Sequence, residues 1–304
     1  MITSRSEVTD DGAAGRGGGA LVLVATPIGN LGDLPPRAIA EFAAADVVAC
    51  EDTRRTGRLL EAAGVRARRL AVVNDHTEPS MIPEIVGIVR RGERVVLVTD
   101  AGTPGIADPG ERLVAAVVAA GLRVEHVPGP SSPVAALVLS GMSTGRFVFE
   151  GFLPRRGSDR HDRLASVAAE QRTVVLLEAP HRVARTVADL AGVCGPDRAV
   201  ALCRELTKMY EEVWRGSLGA ALDHLVAVPP RGEYVVVLAG APDPEGPTDA
   251  EILHALADRR GSGMTTRDAV DAVTAATGVS RRRVYELAVT SVEDQPDTRG
   301  TAED

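Results

Sequence analysis

The sequence is short of the residues that build several familiar kinds of site. Its three cysteines, Cys50, Cys194 and Cys203, stand far apart in 304 residues, which argues against both a disulfide framework and a zinc site. Aromatic residues make up 3%, too few for an RRM-like stacking platform. Lysine occurs once, at Lys208, so every other basic residue is arginine. There is no GxGxxG and no Gly-Lys-Ser/Thr phosphate loop. The longest nearly uninterrupted apolar stretches, such as residues 113–122, are about half of what a bilayer span needs. The first residues are polar and Gly-rich with no apolar h-region, so no secretory signal is expected. These absences predict a cytoplasmic protein without a membrane span or a metal cluster.

What is present is enough apolar material, 44% of residues, for a large core in two or three compact units. The net charge of −8 is unevenly spread. Residues 19–242 hold 25 basic and 26 acidic groups, whereas residues 243–304 hold 7 and 13. A negative total therefore leaves room for a nucleic-acid partner, provided that the basic surface is local.

Residues 1–18 read as a disordered leader. From residue 19 short apolar strands (20–25, 46–50, 69–73, 94–99, 123–127) alternate with amphipathic helices (36–45, 53–63, 81–91, 109–120, 133–140). That alternation predicts βαβ units and a mostly parallel sheet in a first α/β domain, residues 19–145. A second α/β domain, residues 146–241, reads as strands 147–152, 173–178, 198–203, 209–215 and 233–239 with helices 160–170, 181–193 and 217–227. Its interrupted alternation around Tyr210–Gly216 predicts a mixed sheet. A proline-rich linker, 242–247, leads to three short helices in a helix-turn-helix-like module, 248–290, and an acidic tail, 291–304.

Three loops follow strands of the first half: 26–30, 100–110 and 128–133. Ligands of open α/β sheets bind at the carboxyl ends of the strands, and Gly- and Pro-rich loops there present rigid backbone at close range. None of the three contains Lys or Arg, which disfavours a pyrophosphate ligand and suits a nucleoside cofactor such as S-adenosylmethionine. The same residues could serve only as tight connections. Cofactor contact is expected over Asp100–Ile106 and Ser131–Ser132.

The motifs Leu21–Asp33 (LVLVATPIGNLGD), Cys50–Gly57 (CEDTRRTG) and Asp100–Pro104 (DAGTP) occur in order. Pro128-Gly129-Pro130, Glu150–Pro154 (EGFLP), His181-Arg182 and Arg204–Lys208 (RELTK) follow them. On these motifs the chain resembles the bacterial small-subunit ribosomal RNA (cytidine-2′-O)-methyltransferases of the tetrapyrrole-methylase-like superfamily, over roughly residues 20–240 and into the terminal module. The resemblance implies two α/β domains with S-adenosylmethionine in the cleft between them, and a homodimer. It implies methyl transfer to a cytidine ribose in the decoding region of 16S rRNA, in the assembled 30S subunit. By position it implies cofactor contacts at Pro27, Asp100, Ala101, Gly102, Ile106, Ser131 and Ser132. From the second domain it implies Leu177, Ala179, Gly232, Glu233 and Tyr234. Ser131-Ser132 stand where many relatives have Cys-Ala, and Ala179-Pro180 where Ser-Thr is common.

A ribose hydroxyl is a weak nucleophile, so a proton acceptor or polarising group would help. The candidates are Glu51, Asp52, Asp75, His76, Asp100, Glu178, Glu205 and Lys208. Each has a structural alternative: Asp75-His76 as caps for a helix beginning near Pro83, Glu178 as partner of Arg182, Glu205 with Lys208 as an ordinary ion pair. RNA contact is expected from Arg54, Arg55 and Arg58 and from Arg155, Arg156, Arg160 and Arg163, all after strands on the rim that carries the cofactor loops. Interleaved Asp159 and Asp162 also fit a solvated helix face. Two other readings remain open: methylation of a corrinoid or other tetrapyrrole on the same fold, and a DNA-binding regulator acting through Arg281–Arg283.

Overall fold

The computed structural model describes residues 18–242 and 247–293, with side chains through Thr290. The expected leader up to residue 17, the linker at 243–246 and the tail from 294 lie outside the described residues. The chain separates into two compact units, Met1–Ala241 and Pro242–Asp304.

In the first half of the larger unit, five strands form one parallel sheet. They are β1 (Ala20–Val24), β2 (Val47–Cys50), β3 (Leu70–Val72), β4 (Arg94–Val98) and β5 (Arg123–Val127), in the order β3-β2-β4-β1-β5. Helices α1 (Pro36–Ala44), α2 (Thr53–Ala62), α3 (Glu78–Arg90) and α4 (Glu111–Ala119) connect them. Alternation along the strands sends Val22, Val24, Val48 and Val96 towards α1 and α2. It sends Leu21, Val95 and Leu97 towards α3 and α4 on the other face. The chain therefore leaves β1 on one face and β4, its neighbour, on the other. That divergence is the topological switch point at which such sheets open a crevice.

The start of α3 differs from the sequence reading. The helix begins at Glu78, with Thr77 in the N-cap position and Pro83 inside it. Asn74, not Asp75 or His76, shapes the turn, its Oδ1 accepting from the amides of His76 and Thr77. Pro83 forfeits only the bond to the Pro79 carbonyl near the helix start, which α3 tolerates. Glu78 then reaches a second helix. Its buried carboxylate, 2% exposed, accepts the amides of Gly110 at 3.1 Å and Leu113 at 3.0 Å, with Arg112 Nε at 3.4 Å. Gly110 is the N-cap of α4 and has no side chain to offer, so Glu78 caps that helix from outside.

The second half is a mixed sheet of β6 (Phe147–Phe152), β7 (Thr173–Glu178), β8 (Ala199–Arg204), β9 (Glu212–Ser217) and β10 (Tyr234–Leu238). Its order is β6-β7-β10-β8-β9, with only the β6–β7 pair parallel. Helices α6 (Ser158–Ala169), α7 (Pro180–Cys194) and α8 (Leu218–Ala227) cover one face through Leu164, Val183, Val187, Leu190 and Leu218. The other face is covered by α5 (Ser132–Ser140), through Ala136 and Leu137 against Val175, Ala201 and Val237. By position α5 falls in the first half, yet it packs on the second sheet. All three cysteines are free thiols, and Cys50 and Cys203 are buried.

The smaller unit has three helices, α9 (Asp249–Gly261), α10 (Thr266–Thr277) and α11 (Arg281–Glu293), around Ile252, Leu256, Val270, Val273 and Val284. A capping box between Thr248 and Glu251 starts α9. The arginines at the start of α11 are engaged: Arg281 with Asp271, Arg283 with Asp249, and Arg282 with Glu286 at 3.7 Å. All three pairs are exposed, so solvent screening leaves each of them weak. Among the described residues no helix is long and apolar enough to cross a membrane.

Glu78→Ala is expected to lower unfolding stability by about 3 kcal/mol, because two buried amides lose a charged acceptor. The exposed Asp75→Ala should stay within about 0.5 kcal/mol. Urea denaturation of the two variants beside the parent measures the difference.

Candidate functional site

The crevice at the switch point is tied across by backbone. Thr26, just beyond β1, and Gly102, beyond β4, form an antiparallel bridge. Thr26 N–H donates to the Gly102 carbonyl at 2.8 Å and Gly102 N–H to the Thr26 carbonyl at 3.1 Å. Gly102 adopts φ +83°, a region that favours glycine. The Thr26 hydroxyl donates to the Thr99 carbonyl at 3.2 Å, so both loops leave the sheet in a fixed relation.

Beside this bridge lies a cavity of about 380 Å³ between the two halves of the larger unit. The first half contributes Ile28, Glu51, residues 100–103, Ile106 and Asp108, and the start of α5 contributes Ser131 and Ser132. The second half closes it with Phe152, Leu177, Ala179, Leu206, Glu233 and Tyr234. Of the expected cofactor residues, Asp100, Ala101, Gly102, Ile106, Ser131, Ser132, Leu177, Ala179, Glu233 and Tyr234 line this space. Pro27 does not: it lines a neighbouring hollow of about 230 Å³ with Arg55, Arg58 and Asp100. Gly232 is also outside. A Cβ there would come within 2.3 Å of the Glu205 carboxyl, so its bare backbone lets Glu205 Oε1 accept the Glu233 amide at 2.9 Å.

The loops lack basic residues, but the cavity is not neutral. Glu51, Asp100 and Asp108 all line it. Burial raises the pKa of Glu51, and the Asp100 charge adds to the rise. Burial likewise raises that of Asp100, against the pull of Arg55, whose Nη1 lies 3.3 Å from Asp100 Oδ2. The other oxygen, Asp100 Oδ1, is buried, and the Asp52 backbone N–H also donates to this carboxylate. Asp108 is pushed up to about 7, first by burial and then by the charge of Glu51. Asp108 is the residue that sequence reasoning missed. It stands inside a loop that was singled out, but its burial depends on neighbours remote in sequence. The only local signal is the turn chemistry of Asp108-Pro109-Gly110.

The other proton-acceptor candidates are committed elsewhere. Asp52 caps α2, accepting from the Arg54 amide, and pairs with the Arg54 guanidinium at 2.7 Å; these bonds hold its carboxyl well below the usual range. Asp75 and His76 are exposed and do not line the cavity. Glu178 is in the cavity lining, but its side chain is fully enclosed, accepting from Thr186 Oγ1 at 2.6 Å and the Ala179 amide at 2.9 Å, with Arg182 Nε at 3.2 Å. Lys208 bridges Glu205 at 2.8 Å and Glu233 at 2.9 Å. That cluster pins the strap 205–208 over Gly29, where a Cβ would meet Lys208 Cγ at 2.4 Å.

The arginine groups divide in the same way. Arg55 lines the cavity and Arg58 the adjoining hollow. Arg160 is corrected as a phosphate contact. Its guanidinium is buried at 5% exposure and bonds Asp189 Oδ2, the Pro154 carbonyl and Thr186 Oγ1, so it staples α6 to α7. Arg163 pairs with Glu150 at 2.8 Å. Arg155 and Arg156 are exposed and make no hydrogen bond or ion pair among the described residues.

The Asp108 environment has a consequence for stability. A carboxyl protonated up to about pH 7 in the folded chain, against an ordinary value of 3.8, makes the folded state bind the extra proton across that window. Stability contributed by this group is therefore full below the ordinary value and is lost as pH rises through about 7. Asp108→Asn, which mimics the neutral acid, should match the parent near pH 3, below the ordinary value of 3.8, and exceed it most at pH 8. Denaturation midpoints at the two pH values measure this.

Known proteins share this architecture. Residues 20–222 match the family of Tetrapyrrole (Corrin/Porphyrin) Methylases. A Synechocystis protein named ribosomal RNA small subunit methyltransferase I is 41% identical over 273 residues, 89% of this chain and 98% of its own. A Mycobacterium tuberculosis protein of the same name is 42% identical over 278 residues, 90% of this chain and 95% of its own. Among solved structures, the Thermus thermophilus uroporphyrin-III C-methyltransferase complexed with S-adenyl homocysteine is similar in fold. Its TM-score is 0.53 at 18% identity, over 73% of this chain and 97% of that one. The family match over residues 20–222 and relatives 41% and 42% identical over about nine-tenths of the chain place the chain in the tetrapyrrole methylase family, and within it the chain belongs to the small-subunit ribosomal RNA methyltransferase I family.

Proposed function

We propose that the protein is an S-adenosylmethionine-dependent methyltransferase that methylates the ribose 2′-hydroxyl of a cytidine in the decoding region of 16S rRNA. We place its action in the cytoplasm, on the assembled 30S subunit, as a homodimer with the cofactor in the cleft between residues 19–145 and 146–241. The observation that carries the reading is the cavity at the switch point, in a chain 41% identical to a protein named for rRNA methylation.

The residues present fit the cofactor. A cavity of about 380 Å³ lies in the range of small-molecule sites. Ile28, Ile106 and Leu177 offer apolar contact for an adenosyl group. Glu51, Asp100 and Asp108, three carboxyls lining the cavity, suit a ligand that carries a sulfonium and an ammonium charge. The bound cofactor would supply a methyl group already activated for transfer. The task left to the chain is to place the acceptor oxygen in line and to manage its proton. Asp108, with its ionisation near neutral pH, is suited to hold that proton. The enclosed Glu178 carboxylate instead fixes the turn into α7.

A tetrapyrrole substrate on the same fold is the competing reading, and substrate assays separate the two. Incubating the protein and labelled S-adenosylmethionine with unmodified 30S subunits should place one methyl on a cytidine ribose, located by mass mapping of the 16S rRNA. Precorrin-type substrates should take up none. Uptake by the macrocycle alone would reverse the assignment. Truncation after Pro242 should leave cofactor affinity by calorimetry within about two-fold, since the larger unit has its own core.

A further inference from the structure

A basic pocket next to the cofactor cavity is left unexplained by the cofactor and by the arginine runs of the sequence. Arg155, Arg160, His181, Arg182, Arg185 and Thr186 line about 370 Å³ at the start of α7. A shallower hollow links it to the cavity. That hollow shares Phe152 and Ala179 with the cavity, and Arg155, His181 and Arg182 with the basic pocket.

The charges do not cancel. Arg160 is spent on Asp189. Arg182 is spent on Glu178 and the Leu153 carbonyl. These two pairs make a rigid floor. Arg155 has no partner among the described residues. Arg185 stands only within 3.8 Å of Asp189, an oxygen that Arg160 already occupies. The exposed His181 is beside them. Two guanidiniums are thus left over at a pocket whose floor is held in place, where a forked donor meets a tetrahedral anion well. Phe152, 52% exposed, stands on the path between the pocket and the cofactor cavity and offers a face to a base.

We infer that this pocket is a phosphodiester subsite: Arg155 and Arg185, with His181, seat a backbone phosphate of the RNA substrate next to the ribose presented to the cofactor cavity. The inference rests on the rRNA reading above. The sequence expectation named Arg54, Arg55 and Arg58 and the group Arg155, Arg156, Arg160 and Arg163; the subsite instead joins Arg155 to the start of α7.

The test compares the full-length Arg155→Ala/Arg185→Ala double variant with an Arg66→Ala/Arg90→Ala control. The control removes the same charge from exposed residues that line neither the cofactor cavity nor the basic pocket. Binding to 30S subunits across a salt series should weaken about ten-fold for the pocket variant, with the salt slope reduced by roughly two, one per lost contact. The control should stay near the parent, and cofactor affinity by calorimetry should be unchanged in both, which also reports folding. Arg155→Lys/Arg185→Lys should recover binding only in part. A pocket variant with parental affinity and slope, or a control that loses as much, overturns the subsite while leaving the rRNA reading intact. A parent protein that neither binds nor methylates 30S subunits overturns both.

Discussion

The site depends on where α5 packs. The chain finishes its parallel sheet at β5, passes Ser131 and Ser132, and then lays Ala136 and Leu137 on the sheet of the other half. Without that helix one face of the mixed sheet would expose Val175, Ala201 and Val237, an unfavourable apolar surface in water. Burying it joins the halves in one compact unit and brings Leu177, Ala179 and Tyr234 to the mouth of the switch-point crevice. Ile28, from the loop after β1, and Leu206, from the strap after β8, belong to the same apolar cluster. The cavity is therefore the unfilled remainder of a hydrophobic interface.

On that frame the electrostatics separate into two neighbouring environments. The cavity gathers Glu51, Asp100 and Asp108, carboxyls whose pKa values burial raises, with the charge of Asp100 adding to the rise at Glu51 and those of Glu51 and Asp100 to the rise at Asp108. Beyond Phe152 and Ala179 the sign reverses, with arginines gathered at the start of α7. A cationic cofactor and a polyanionic substrate call for opposite fields, and the two groups of charge lie on different lining residues of adjoining hollows. This arrangement also explains how a chain of net charge −8 can present a surface suited to RNA.

Many charged residues that looked chemical are structural. Glu178, Arg160, Asp52 and the Glu205–Lys208 pair hold turns, helices and the strap by bonds to backbone and to each other. Their common task is rigidity around a site built on loops, where a small displacement would misplace the reacting atoms.

The periodicity of apolar residues sufficed to place most strands and helices, because a buried parallel strand is a continuous Val and Leu run whatever its partners, whereas the edge strand expected at 209–215 runs Glu212–Ser217. The Gly- and Pro-rich loops after β1, β4 and β5 were legible for the same local reason: turn chemistry is written in adjacent residues. Ten of the twelve expected cofactor positions line the cavity, although part of that set came from resemblance and not from pattern. Four features were not legible. The attachment of α5 to the other sheet needs the partner surface to exist. The cap that Glu78 gives α4 joins residues 32 and 35 positions apart. The acidity of Asp108 and the removal of Arg160 from solvent are set by burial beneath distant elements. The sequence by itself determined which segments are strands, helices and ligand-ready loops, since short-range sterics and periodic burial decide those. Only the tertiary structure decided which charges face the cavity and which are consumed in its walls, because desolvation and pairing depend on contacts made across the whole chain.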